Sequence, residues 1–151
     1  ITRVEKAELK LLDQRFQIDI DPSTGKFKAG LPFPITIRVS AQDDLPMQRW
    51  KSREVFVDLR TFYERRPPTT TDIRSALGPD GAVRPKLMLA KDATSIKINV
   101  FYAPKGNVVG RVKKWRRGED DEQLVRKELE VKALESDANA ISVRNILITE
   151  L

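Results

Sequence analysis

The chain contains no cysteine and no histidine. Without cysteine there is no disulfide, no thiol nucleophile and no thiolate ligand for a metal. Without histidine the commonest general base and metal-ligating side chain is missing, and with it Ser-His-Asp triads and zinc-hydrolase sites. The expectation is a protein that is not an enzyme and carries no cofactor or metal. Neither absence fixes the compartment, because a domain of this size folds without disulfide staples. Long apolar runs are missing as well. Nothing approaches the roughly 20 consecutive apolar residues of a membrane helix, and Ile1-Thr2-Arg3-Val4-Glu5-Lys6 lacks the apolar run of a signal peptide. The chain opens on Ile1 without an initiator Met, from which we expect a processed chain or an excised piece. No Asn-x-Ser/Thr acceptor occurs, so N-glycosylation is not expected.

What is present points to one soluble globular domain. The length of 151 residues supports one self-sufficient core, and 40% apolar with 33% charged residues is neither a membrane nor a disordered composition. Apolar and polar residues alternate, and a period of two gives a strand one buried and one wet face. Phe16-Gln17-Ile18-Asp19-Ile20 alternates and is followed by turn residues from Asp21 to Gly25. Phe33, Ile35, Ile37 and Val39 mark one side of a second strand, and Val55 to Leu59, prolonged toward Tyr63, reads as a third. Residues 65–79 read as a long break with Pro67-Pro68 and a threonine run, and Gly78-Pro79-Asp80-Gly81 is a turn. Leu87-Met88-Leu89 and Ile96 to Tyr102 follow as strands separated by Lys91 to Ser95. Residues 119–134 fit either a helical stripe or a strand, with strand preferred for 128–134, and Ala140 to Ile148 reads as a terminal strand. Short strands near ten residues apart predict a sandwich or barrel rather than a βαβ fold.

Phe27-Lys28-Ala29-Gly30-Leu31-Pro32-Phe33, leading into the alternating strand that ends at Val39, resembles a segment of macroglobulin domains in the alpha-2-macroglobulin, complement and thioester-containing protein family. It departs from the family at Ala29, where Pro is usual. Asp80-Gly81 and the strand ending in Tyr102 are similar to that family's later strands. The order most resembles the fourth macroglobulin domain with parts of its neighbours. The resemblance implies an all-β, antiparallel seven-stranded immunoglobulin- or fibronectin-like β-sandwich over residues 15–135. It also implies the end of a preceding macroglobulin domain at 1–14 and the start of a following one at 136–151. The implied parent is secreted or cell-surface associated and inhibits endopeptidases or acts in innate immunity. Its partners would be neighbouring macroglobulin domains, proteases and immune or cell-surface proteins. The thioester of such proteins needs a Cys that this chain lacks.

The net charge of +6 is unevenly placed. Residues 105–118 hold six basic and no acidic residues, whereas 119–151 hold nine acidic and four basic ones. Arg111, Lys113, Lys114, Trp115, Arg116 and Arg117 form the sharpest local feature and read as a basic loop. Such a loop suits a polyanion, heparan sulfate or nucleic acid, with Trp115 stacking and the cations displacing counterions. The competing reading, which we prefer, is a solvated loop neutralised by Glu119-Asp120-Asp121-Glu122, and nucleic acid is not the expected partner. Arg65-Arg66 before Pro67 reads as a loop rather than a protease site. Asp43-Asp44 and Asp120-Asp121 read as turns rather than a calcium site. Trp50 reads as a half-buried aromatic.

Overall fold

Where apolar residues alternate, the chain extends, and where Pro and Gly interrupt them it turns. The computed structural model of the chain describes residues 16–42 and 45–134. Within them the strands are β1 (Phe16–Asp21), β2 (Lys26–Phe27), β3 (Pro32–Pro34), β4 (Thr36–Ala41), β5 (Glu54–Tyr63), β6 (Thr69–Ala76), β7 (Ala82–Val83), β8 (Lys86–Met88), β9 (Ala93–Tyr102) and β10 (Val125–Ala133). One α-helix, α1 (Val108–Arg116), lies between β9 and β10.

The strands form a three-stranded sheet in the order β1-β4-β7, a five-stranded sheet β2-β10-β9-β5-β6 and a two-stranded pair β3-β8. The protein is mostly β, as the alternation predicts. It is not a seven-stranded, purely antiparallel sandwich. The described residues hold ten strands in three sheets, and β10 runs parallel to β2. The expected strand from Phe33 to Val39 is divided at Ile35. Pro34 has no backbone N–H to continue a ladder, and the chain changes sheets there: β3 pairs with β8, β4 pairs with β1 and β7, and the Ile35 amide donates to the Pro85 carbonyl at 3.1 Å.

The main core lies between the three-stranded and five-stranded sheets. Ile18 and Ile37 from one face Val57, Ile98 and Val100 from the other, all nearly or fully buried. Each such side chain removed from water contributes about 1.5–3 kcal/mol. Trp50 is half-buried, as expected. Its ring meets Phe16 edge-on at 5.2 Å, and its indole N–H donates to the Leu45 carbonyl at 3.2 Å. Tyr102 is buried beside them, and its hydroxyl donates to the Ser52 carbonyl at 2.6 Å.

Two expectations about loops are corrected. Residues 69–76, taken as part of a long break, are strand β6, paired with β5 from Glu54↔Ala76 to Thr61↔Thr69. The β-branched threonines suit a strand, but β6 is the outer edge of its sheet and exposed along most of its length, so it never shows the alternation that marks a covered strand. The basic segment 111–117 is not a loop either, because it lies mainly in α1. The expected strand at 140–148, the segments 1–14 and 136–151 and the Asp43-Asp44 pair fall outside the described residues. Among the described residues no helix is long and apolar enough to cross a membrane.

Candidate functional site

Helix α1 forms where it does because Val108, Val112 and Trp115 recur at the spacing of one helical face and find apolar partners on the outer side of the five-stranded sheet. Phe56 of β5 and Phe101 of β9 point away from the main core and make a second, smaller one with Val108 and Val112. Trp115 meets Phe101 edge-on at 4.8 Å. The helix ends through Gly118, whose φ of +79° belongs to the left-handed region and whose amide donates to the Trp115 carbonyl at 2.9 Å. Lys113, Lys114 and Arg116 occupy the last turn, where cations favour the negative end of the helix dipole.

The strand register turns the rest of this outer face into three cross-strand rows. Under the helix lie Arg74, Phe56, Phe101 and Arg126. Next come Asp72, Asp58, Asn99 and Glu128, and beyond them Thr70, Arg60, Lys97 and Glu130. Directly opposed side chains on adjacent strands lie about 5 Å apart at Cβ, so each row is a contact set. The second and third rows are left open by the short helix. Asp58, Asn99 and Glu128 of the second row and Thr70, Arg60 and Lys97 of the third floor a groove of about 540 Å³ walled at one end by Trp115 and Arg116.

Charge in the groove is arranged in pairs. Arg116 Nη2 donates to Asp58 Oδ2 at 2.8 Å and also holds Asp72, while its guanidinium lies 5.5 Å from the Phe56 ring centre. The hydrogen bond to Asp72, then that to Asp58, pushes the Arg116 pKa further above its ordinary value. Asp58 is buried, so this partner matters to it. Arg126 Nη1 donates to Asn99 Oδ1 at 2.8 Å and to Glu128 Oε2 at 2.9 Å, and its guanidinium lies 5.6 Å from the Trp115 ring centre. Lys97 Nζ lies 3.0 Å from Glu128 Oε1. Lys97 first and Arg126 second hold the Glu128 carboxyl below its ordinary range, so it is a carboxylate near neutral pH. Arg60 alone of the groove's cations has no carboxylate partner among the described residues. It is exposed, opposite Thr70 on one side and Lys97 on the other.

The six residues singled out from the sequence do not share one binding face. Arg111 is consumed within the chain: Nε donates to the Gly106 carbonyl at 2.9 Å, Nη1 to both Asp121 oxygens, and Nη2 to Gln123 Oε1 at 3.0 Å. Arg116 is tied to two aspartates, Arg117 lies 3.3 Å from Glu119, and Trp115 packs on Phe101. Lys113 and Lys114 are exposed on the helix. Asp121, considered beside Asp120 for calcium, accepts from Arg111 and from the Gln123 amide at 2.9 Å, which is turn chemistry. Arg66 of the dibasic pair is bound to Asp92 and stacks 3.5 Å from the Tyr63 ring centre. Asp58, Arg60, Lys97, Asn99 and Glu128 were not singled out. Their one sequence signal is a polar residue at alternate positions of otherwise apolar strands.

No protein-family model matches the chain, and no curated protein does. Solved structures that match include superoxide reductase (neelaredoxin) from Ignicoccus hospitalis, at 22% identity and a TM-score of 0.45, covering 79% of this chain and 80% of that one. Two variants of the same protein match at 20% identity with a TM-score of 0.45, covering 85% and 87%, and at 19% with 0.44, covering 79% of each chain. Neither a family model nor a curated protein supports the macroglobulin resemblance, and the structures reported are not macroglobulin domains, so that resemblance is withdrawn. With it go the thioester-type parent, protease inhibition and innate immunity. The polyanion-binding reading finds no support either, and its physical reason fails because Arg111, Arg116 and Arg117 are paired internally. The structures reported carry the name of an enzyme, so they lend no support to the expectation that this chain is not one. At such identities and TM-scores, no residue role is carried across.

Proposed function

We propose that the outer-sheet groove of this chain takes a small organic anion, on a scaffold in which the three-stranded sheet closes over the inner face of the five-stranded one. The observation that supports this is Arg60. It is a guanidinium without a carboxylate partner among the described residues, flanked by the Thr70 hydroxyl and the Lys97 ammonium, in a groove whose other charges are paired. A guanidinium fork recognises a carboxylate or phosphate with two parallel hydrogen bonds, and Thr70 adds a third donor. Lys97 adds positive charge at the same end, although Glu128 shares it. Toward the helix, Trp115 and the Arg116–Asp58 pair offer a flat surface and fixed dipoles to the body of the ligand. The volume suits a molecule of metabolite size rather than a polymer.

Calorimetric titration with succinate, citrate and benzoate tests the reading. We expect saturable binding of at least one acid, weakened about tenfold or more in Arg60→Ala, the loss of one charge-assisted contact. Absence of saturation up to about 10 mM of each acid, or equal affinity in Arg60→Ala, overturns it.

A further inference from the structure

One edge of the five-stranded sheet is β6, which pairs with β5 on one side and has no strand on the other among the described residues. Proteins commonly protect such an edge with a like charge, a proline or a covering segment. The eight residues of β6 are Thr69-Thr70-Thr71-Asp72-Ile73-Arg74-Ser75-Ala76, with no proline and no lysine. Most are exposed, and the side chain of Ile73 is half-buried toward the core. Apart from Asp72 and Arg74, whose charges are opposite in sign, the edge consists of β-branched and small residues, which favours strand addition.

We infer that β6 pairs antiparallel with β6 of a second copy of this chain, joining two five-stranded sheets into one. The argument is charge complementarity within the strand. In an antiparallel pair of identical strands centred on Ile73, Asp72 of each copy stands opposite Arg74 of the other. The two pairs are generated by the same twofold axis. Thr71 then faces Ser75, Ile73 faces Ile73, and Thr70 faces Ala76. Opposite charges directly across strands stabilise by a few tenths to about 1 kcal/mol each, as hydroxyl pairs do. The added ladder also satisfies backbone groups that otherwise meet only water. Asp72 and Arg74 are already held in extended form by Arg116 and Glu54, so the pairing links Glu54–Arg74 of one copy to Asp72–Arg116 of the other. The contrast with β1, at the edge of the three-stranded sheet, is instructive. Its exposed residues are Gln17, Asp19 and Asp21, so self-pairing there brings carboxylates together. This inference stands on the edge strand and is independent of the groove ligand.

Sedimentation velocity on the full chain, from about 10 μM to about 1 mM, is the first measurement, because a single strand pair is a small interface with affinity of micromolar order. We expect the mass to rise toward twice 17.2 kDa. Arg74→Glu puts acid opposite acid and Asp72→Lys puts base opposite base, so each variant alone is expected to stay monomeric over the same range. Mixed in equal amounts, they restore both attractive pairs, and a heterodimer is expected. Because that signal appears only on mixing two variants that are separately monomeric, it cannot come from misfolding of either one. A wild-type chain that is monomeric at every concentration overturns the inference, as does a dimer indifferent to both substitutions or a mixture that stays monomeric.

Discussion

Arg116 reaches Asp58 with two nitrogens, Nε at 3.2 Å and Nη2 at 2.8 Å from the same carboxylate oxygen, and so ties the last turn of α1 to the middle of β5. The helix is nine residues long and is held otherwise by Val108, Val112 and Trp115. An isolated helix this short is not stable in water, so its position on the sheet depends on these contacts.

Removing the guanidinium leaves Asp58 buried without its cation. We expect Arg116→Ala to lower stability by about 1–2 kcal/mol, less than a fully enclosed pair because Arg116 is itself partly exposed. Arg116→Ala combined with Asp58→Asn should cost less than the sum of the two single changes, since the second removes the charge that the first strands. Urea unfolding of the four proteins in a double-mutant cycle measures this, and additive costs would show that the pair is not coupled.

The second core gives another prediction. Phe101 is fully buried beneath the helix, against Phe56 and Trp115. Phe101→Ala should cost about 3–5 kcal/mol, whereas Val112→Ala should cost about 1–2 kcal/mol and act mainly on α1. Hydrogen exchange separates the two effects. In Val112→Ala the amides of α1 should exchange faster while those of β5 and β9 keep their protection.

Stability against pH is set at the acid side by carboxylates and at the alkaline side by Tyr102. Hydrogen bonds from Lys97 and Arg126 lower the Glu128 pKa below 4.5, and Arg84 and Arg66 lower those of Asp80 and Asp92 below 3.8. A carboxyl lowered by folding stabilises above its unfolded pKa, and that contribution disappears as the pH falls through the folded one. Burial raises the Tyr102 pKa above its ordinary 10.0, so its contribution is complete below pH 10 and fades above it. With no histidine in the chain, the denaturation midpoint should stay nearly flat from about pH 5 to 8, fall below about pH 4.5 and fall again above about pH 10. A step near pH 6.5 would contradict this.

The main strands were legible because one face of each is covered. Phe16-Ile18-Ile20 and Ile96-Ile98-Val100 carry the period of two that burial on one side imposes. The preferred strand at 128–134 also emerged, as the greater part of β10. Strand β6 was not legible because an edge exposed along most of its length, with Ile73 its one large apolar residue, shows no alternation to reveal it. Helix α1 carried a signal in Val108, Val112 and Trp115, but its cations drew attention to charge instead. The groove could not be read at all. Asp58, Asn99 and Glu128 stand 41 and 29 residues apart in the chain, and only the register of β5, β9 and β10 puts them in one row.

Gly81 supplies the last prediction. Its φ is +75°, a left-handed conformation that costs a residue with a Cβ about 1–2 kcal/mol. It is also crowded, because a Cβ there would lie 3.0 Å from the Val39 carbonyl oxygen, which belongs to β4 and cannot move without disturbing the sheet. The Gly81 carbonyl accepts from the Val39 amide at 2.9 Å, which fastens the turn before β7 to that strand, while the Gly81 amide donates to the Gly78 carbonyl within the turn. Gly106 has a similar φ of +88°, but a Cβ there meets nothing within 4 Å. The two glycines therefore separate backbone strain from steric contact. Gly106→Ala should cost about 1 kcal/mol through the dihedral alone, and Gly81→Ala should cost at least about 1 kcal/mol more because the contact is added. Thermal and urea unfolding of both variants measure the difference. Equal losses would mean that β4 and the turn yield together, and that the close approach of Gly81 to Val39 is not what restricts this position to glycine.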